Sequence, residues 1–170
     1  SRPIPEDWPR FRSIDFGVKN PFCCLWFALD ESDNTLHVYR EHFATEKTTL
    51  ENGAIINFKS RNDPSVVFSV ADPESKDGRL LLARNCNIPT KPAIKRVSEG
   101  INAVKERLCP DAEGKPHLLI HDSCKGLIRE FRLYRWDKSA GDKPVKKNDH
   151  GMDCLRYMIV FLNRYLLHHQ

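Results

Sequence analysis

Apolar and polar positions change rhythm along the chain, and each rhythm predicts an element. Residues 12–18 alternate, with Ile14, Phe16 and Val18 on one side and Ser13, Asp15 and Gly17 on the other, a strand period. A second apolar run covers 22–29 after Asn20-Pro21, and Asp30-Glu31-Ser32-Asp33-Asn34 supplies a turn. Residues 35–43 carry β-branched and aromatic side chains and make a third strand. Three strands joined by short turns predict an antiparallel meander. Residues 45–59 then read as a helix with Thr45 as N-cap and apolar residues at 50, 54, 55 and 58. The apolar run 66–71 predicts a buried strand, and 76–85 a short helix bearing Leu80, Leu81 and Leu82. Ile94, Val97, Ile101, Val104 and Leu108 are spaced by 3, 4, 3 and 4, so 93–108 is the clearest helix, with Pro92 at its start. A strand at 117–121, a helix from 123 to about 134, a polar loop over 137–147 and a helix from 149 to about 167 complete the chain. On that last helix Met152, Leu155, Ile159, Leu162 and Leu166 share one direction, and Asp149, His150 and Asp153 lie away from it.

This order predicts an α/β fold built on one mixed sheet with helices on its faces. Residues 1–10, with Pro3, Pro5 and Pro9, form an irregular lead-in, and 11–170 a single domain. At 170 residues the chain can bury a core without disulfide or metal staples. Apolar residues at 40% and charged residues at 29% exclude a disordered or fibrous chain. Lys plus Arg number 27 and Asp plus Glu 23, a formal charge of +4 that permits a polyanionic partner without demanding one. The longest uncharged run, 20–29, is ten residues, too short to span a bilayer, so no membrane partner is expected. The chain starts at Ser and has no signal-peptide pattern, which points to a processed or excised piece. None of the six cysteines forms a C-x-x-C pair, and the adjacent Cys23 and Cys24 would point to opposite faces of a strand. Free, mostly buried thiols in a reducing compartment are expected, with no zinc site.

Candidate chemistry lies in the carboxylates. Asp15 sits within the first strand, Asp72 ends the 66–71 strand, and Asp149 and Asp153 flank His150 at the start of the last helix. A carboxylate in an apolar strand is costly unless it is paired, hydrogen-bonded or bound to metal. Asp72-Pro73 alone also reads as turn chemistry, and Asp149 alone as a helix cap. Together, a strand-borne Asp, an Asp at a strand end and an Asp on a late helix can converge on one point of a mixed sheet. Hard divalent cations take such oxygens, and two ions roughly 4 Å apart support phosphodiester hydrolysis.

Four stretches carry a family resemblance. Ser13-Ile14-Asp15-Phe16-Gly17 with Asn20-Pro21 resembles the opening of a tailed-phage large-terminase nuclease domain. Val70-Ala71-Asp72-Pro73 resembles that domain's second acidic strand. His121-Asp122-Ser123-Cys124 through Ile128-Arg129-Glu130-Phe131 and Tyr134-Arg135-Trp136 is similar to its Cys-bearing strand-helix segment. Asn148-Asp149-His150-Gly151-Met152-Asp153-Cys154-Leu155-Arg156-Tyr157 is similar to its closing acidic helix. The resemblance implies a ribonuclease H-like fold and two-metal DNA cleavage during genome packaging, in the host cytoplasm. It implies Asp15, Asp72 and Asp153 as ligands of Mg²⁺ or Mn²⁺, with His150 beside them and Asp149 as an extra ligand or outer partner. Asp122 is read as structural. No G-x-x-x-x-G-K-[ST] loop occurs, so the packaging ATPase is expected as a partner domain outside this chain, with the small terminase subunit and portal beyond it.

Arg132, Arg135, Lys138, Lys143, Lys146 and Lys147 set six positive charges against Asp137 and Asp142 just before the acidic helix. Arg135, Lys138, Lys143, Lys146 and Lys147 are the expected contacts to double-stranded DNA, made to phosphates and with little base specificity. Two other readings compete: a junction-resolvase or transposase-like nuclease, and a silent DNA-binding or motor-docking module.

Overall fold

The structure, a computed structural model, describes residues 2–17, 21–133, 136–137, 143–144 and 149–169. Strands β1 (Arg10–Asp15), β2 (Phe22–Asp30) and β3 (Thr35–Ala44) form the expected antiparallel meander. β4 (Val66–Ala71) adds parallel to β1 on its other side, and β5 (Lys91–Pro92) adds parallel to β4. β6 (Leu118–Ile120) closes the far edge, parallel to β3. The six strands run β5-β4-β1-β2-β3-β6, so β1 and β2 lie at the centre.

Helices cover both faces. Ile56 of α1 (Thr49–Ser60) and Leu82 of α2 (Lys76–Cys86) pack on Ile14, Cys24, Trp26 and Ala71. α3 (Val97–Leu108), α4 (Lys125–Leu133) and α5 (His150–His168) pack on the opposite face, against Phe11, Cys23, Leu25 and Val70. This double cover explains why all six residues of β1 are buried although its sequence alternates. The alternation selects a face, and both faces are dry. Cys23 and Cys24 fall in opposite cores, as adjacent strand residues must, and all six cysteines are free.

Local chemistry moves several boundaries. β1 covers Arg10–Asp15 instead of 12–18; Phe16 lies beyond it and Val18 is outside the described residues. α1 starts at Thr49, because Thr48 is the N-cap of a reciprocal box: its hydroxyl accepts from the Glu51 amide at 3.1 Å, and Glu51 Oε1 accepts from the Thr48 amide. Thr45 has no acid three residues on, and Glu46 takes a φ of 58°, which no helix allows. α3 starts at Val97, because Pro92 belongs to β5 and the Ala93 amide donates to Ala71 O at 2.8 Å. Residues 93–96 are therefore a connector passing the end of β4. In the expected polar loop, β7 (Trp136–Asp137) and β8 (Lys143–Pro144) pair as a short antiparallel ribbon.

Candidate metal centre

The parallel pairing of β1 and β4 sets the site. Ile14 lies opposite Ala71, so Asp15, the last residue of β1, and Asp72, the first after β4, leave the sheet at the same edge. Ligand sites in α/β folds favour this carboxyl edge of parallel strands. The first turn of α5 reaches the same edge, because its apolar side is buried on the central strands. Asp15, His150 and Asp153 each offer a ligand atom, and the three atoms lie within 4.8 Å of one another. His150 Nδ1–H donates to Asp15 Oδ2 at 3.2 Å. All three side chains line one cavity of about 230 Å³, together with Asp72, Lys95 and Tyr157.

Asp72 reaches the cavity with both oxygens engaged. Its Oδ1 accepts from the Glu74 amide at 2.9 Å, and its Oδ2 accepts from Lys95 Nζ at 3.0 Å. Asp149 stands apart. It occupies the N-cap position of α5 without a side-chain cap bond, and its carbonyl accepts from the Asp153 amide at 2.8 Å. Its Oδ2 is buried with no hydrogen-bond partner among the described residues. Asp153, and not Asp149, belongs to the cluster whose ligand atoms lie within 4.8 Å of one another, a distinction the i and i+4 spacing alone left open.

Glu130 takes over the capping that Asp149 does not perform. Reaching across from α4, its carboxylate accepts from the amides of Gly151 at 3.0 and 3.1 Å and of Met152 at 3.3 Å. These amides are the unsatisfied donors of a helix start, where negative charge is also favoured. Burial still pushes the Glu130 carboxyl up to about 7. Burial likewise pushes Asp153 up to about 6, against the charge of Arg156, with which it forms an ion pair. The hydrogen bond to Asp15 raises His150 above the ordinary imidazole value, against the opposing effect of burial.

The donor set suits a hard divalent cation. Carboxylate oxygens with one imidazole, in a polar cavity large enough to keep water, match Mg²⁺ or Mn²⁺ better than a thiolate-seeking metal. Asp15 and Asp153 would hold such an ion with His150 beside them, and Asp72 could join once Lys95 leaves it.

Of the expected DNA contacts, Arg135, Lys138, Lys146 and Lys147 lie outside the described residues, and Lys143 is placed only by its backbone in β8. Asp122 is exposed and lines a different cavity, beside His121 and His37. The sequence reading gives no role to two residues that the structure brings forward, Glu130 and Lys95. Glu130 stands inside a matched stretch but lies 21 positions from its bonding partner, so no local pattern marks it. Lys95 falls inside the helix expected over 93–108, whereas α3 begins at Val97.

No family model matches the chain. The large terminase subunit of Escherichia phage T5 is 28% identical over 169 residues, covering 94% of this chain and 36% of that protein. The large terminase of thermophilic bacteriophage D6E, solved with ADP, superposes with a TM-score of 0.79 at 26% identity, over 93% of this chain and 40% of that one. The nuclease domain of the bacteriophage SPP1 large terminase, solved with bound Mn, superposes with a TM-score of 0.70 at 15% identity, over 91% of this chain and 86% of that one. This chain thus spans less than half the length of the T5 and D6E proteins and nearly all of the SPP1 domain. The fold is ribonuclease H-like, and the resemblance to tailed-phage large-terminase nuclease domains is borne out in both sequence and fold.

Proposed function

We propose that the chain is the nuclease unit of a phage DNA-packaging enzyme, cutting concatemeric viral DNA by divalent-metal-dependent phosphodiester hydrolysis. The observation that carries this reading is the convergence of Asp15, His150 and Asp153 at one edge of the sheet, with Asp72 on the same cavity wall. A cluster of one buried and two half-buried carboxylates supports a functional site, because desolvating charge without a role is costly. The Mn bound to the SPP1 domain supports the choice of a divalent ion.

Asp15 and Asp153 supply oxygens from a rigid strand end and a buried helix start, so the site is held by packed elements. His150 is kept upright by its bond to Asp15, which leaves Nε2 to orient water or accept a proton. Two bound Mg²⁺ or Mn²⁺ ions would supply water activation and charge stabilisation at the leaving oxygen. Double-stranded DNA would be gripped through phosphates by the basic 135–147 segment, which favours little sequence preference. The packaging ATPase, the small terminase subunit and the portal are the proposed partners, and the host cytoplasm the proposed site of action. No described helix is long and apolar enough to cross a membrane.

Supercoiled plasmid incubated with Mn²⁺ or Mg²⁺ tests the activity. Nicked and linear products are expected with the native chain, and neither EDTA-treated protein nor Asp15→Asn should form them. Equal cutting by native protein and Asp15→Asn would refute the reading.

A further inference from the structure

Lys95 bridges two carboxylates of very different exposure. Its Nζ lies 3.0 Å from Asp72 Oδ2 and 3.2 Å from Glu74 Oε2. The Asp72 side chain is 15% exposed, facing the cavity, whereas that of Glu74 is 81% exposed. The ammonium therefore occupies the one Asp72 oxygen that is not already committed to a backbone amide. Residues 93–96 hold it there as a short connector between β5 and α3, anchored by the Ala93–Ala71 hydrogen bond.

We propose that Lys95 is an exchangeable counter-ion, which neutralises Asp72 in the metal-free site and must be displaced before Asp72 can ligate a cation. This inference rests on the metal-centre reading above and deepens it.

The physical case is competition for one anion. An ammonium and a divalent cation cannot share Asp72 Oδ2 at bonding distance without strong repulsion. Without Lys95, Asp72 Oδ2 would face a partly dry cavity without its cationic partner, whereas Asp15 keeps His150 and Asp153 keeps Arg156. Displacement is made easy by Glu74, which already accepts from Nζ and lies outward. A swing toward Glu74, or toward an incoming DNA phosphate, keeps the ammonium paired throughout. Phosphate would thus release Asp72, and by reciprocity metal occupancy would favour phosphate. Lys95 is a positioning residue in this scheme, setting when the second acidic strand joins the cluster.

The test is Mn²⁺ binding, followed through the electron paramagnetic resonance signal of the free ion, with no DNA present. Lys95→Gln should bind Mn²⁺ roughly two- to fivefold more tightly than native protein, the scale of one partly exposed ion pair. Lys95→Arg, which keeps the charge, should stay near native affinity. Arg96→Gln removes an equal charge from the same cavity wall, from a residue whose nearest acid is Glu99 at 4.0 Å, and should change affinity far less. Unchanged or weaker binding by Lys95→Gln would overturn the proposal, as would an equal gain in Arg96→Gln, which would reduce the effect to general charge. Absence of Mn²⁺ binding by native protein and Asp15→Asn alike is a separate result, and would remove the metal-centre reading and this inference together.

Discussion

Glu130 of α4 accepts the amide hydrogen of Gly151 in the first turn of α5, at 3.0 Å from one oxygen and 3.1 Å from the other. The contact joins two helices across 21 positions and fixes the segment that carries His150 and Asp153. Glu130→Ala should therefore cost about 1–3 kcal/mol, since it leaves buried amides without acceptors. Glu130→Gln keeps one carbonyl oxygen and should retain most of that stability. Urea denaturation of both variants checks the difference.

The same residue gives a pH dependence. Burial raises the folded-state value of Glu130 to about 7 from the model-compound 4.5. Between these values the folded chain holds a proton that the unfolded chain has released, so this group's contribution to stability declines as pH rises from about 4.5 to 7 and is level above. Glu130→Gln lacks that decline. Its stability relative to native protein should rise over this interval, measured by denaturation in EDTA at pH 5 and pH 8.

Gly151 is small because Glu130 is close. A Cβ at this position would stand 2.5 Å from Glu130 Oε2 and 2.9 Å from Phe43 Cζ. Gly151→Ala should push the carboxylate off the helix start and destabilise the protein by about 1–3 kcal/mol. Its thermal midpoint should fall with that of Glu130→Ala, and the double variant should lose less than the two losses combined.

Asp149 and Asp153 should separate in function. Asp153 lies within the three-residue cluster, and Asp149 leaves a buried, unpartnered oxygen outside it. Mn²⁺ at a hundredfold excess over its Kd should stabilise native protein by about 2.7 kcal/mol. Asp149→Asn should keep most of that shift and be more stable than native protein in EDTA, because an amide is cheaper to bury than a carboxylate. Asp153→Asn should lose the shift. Thermal denaturation with and without Mn²⁺ reads both effects.

Three histidines away from the site give acid sensitivity. Burial lowers the values of His37, His42 and His121, with His42 Nε2 donating to buried Asn52 Oδ1 at 3.0 Å and the other two paired at 3.2 Å. Below the ordinary value of about 6.5 the unfolded chain takes up protons that the folded chain refuses. Their contribution is complete above that pH and is lost as pH falls beneath it. His42→Gln should show a shallower loss of urea midpoint between pH 7 and pH 5 than native protein.

The meander and the 66–71 strand were legible because short turns and continuous apolar runs are local signals. Asp15 and Asp72 stood out for a related reason: each puts a carboxylate at the end of a strand, β4 itself carrying no charge. Helix starts were less legible. Thr48-x-x-Glu51 is a complete local box, yet the nearby Thr45 competes with it on composition alone. Pro92 suits the first turn of a helix as well as an edge strand, and only pairing with β4 decides between them. Glu130 and Lys95 were beyond reach, because their meaning lies in partners 21 and 23 residues away.

The central claim is that Asp15, His150, Asp153 and, after release from Lys95, Asp72 form a divalent-metal centre. A crystal soaked in Mn²⁺ and measured at the manganese absorption edge tests it most directly. The account predicts an anomalous peak bonded to Asp15 and Asp153, with Lys95 turned away from Asp72. A soaked crystal with no peak in this cavity, or with the ion held elsewhere on the chain, would contradict it.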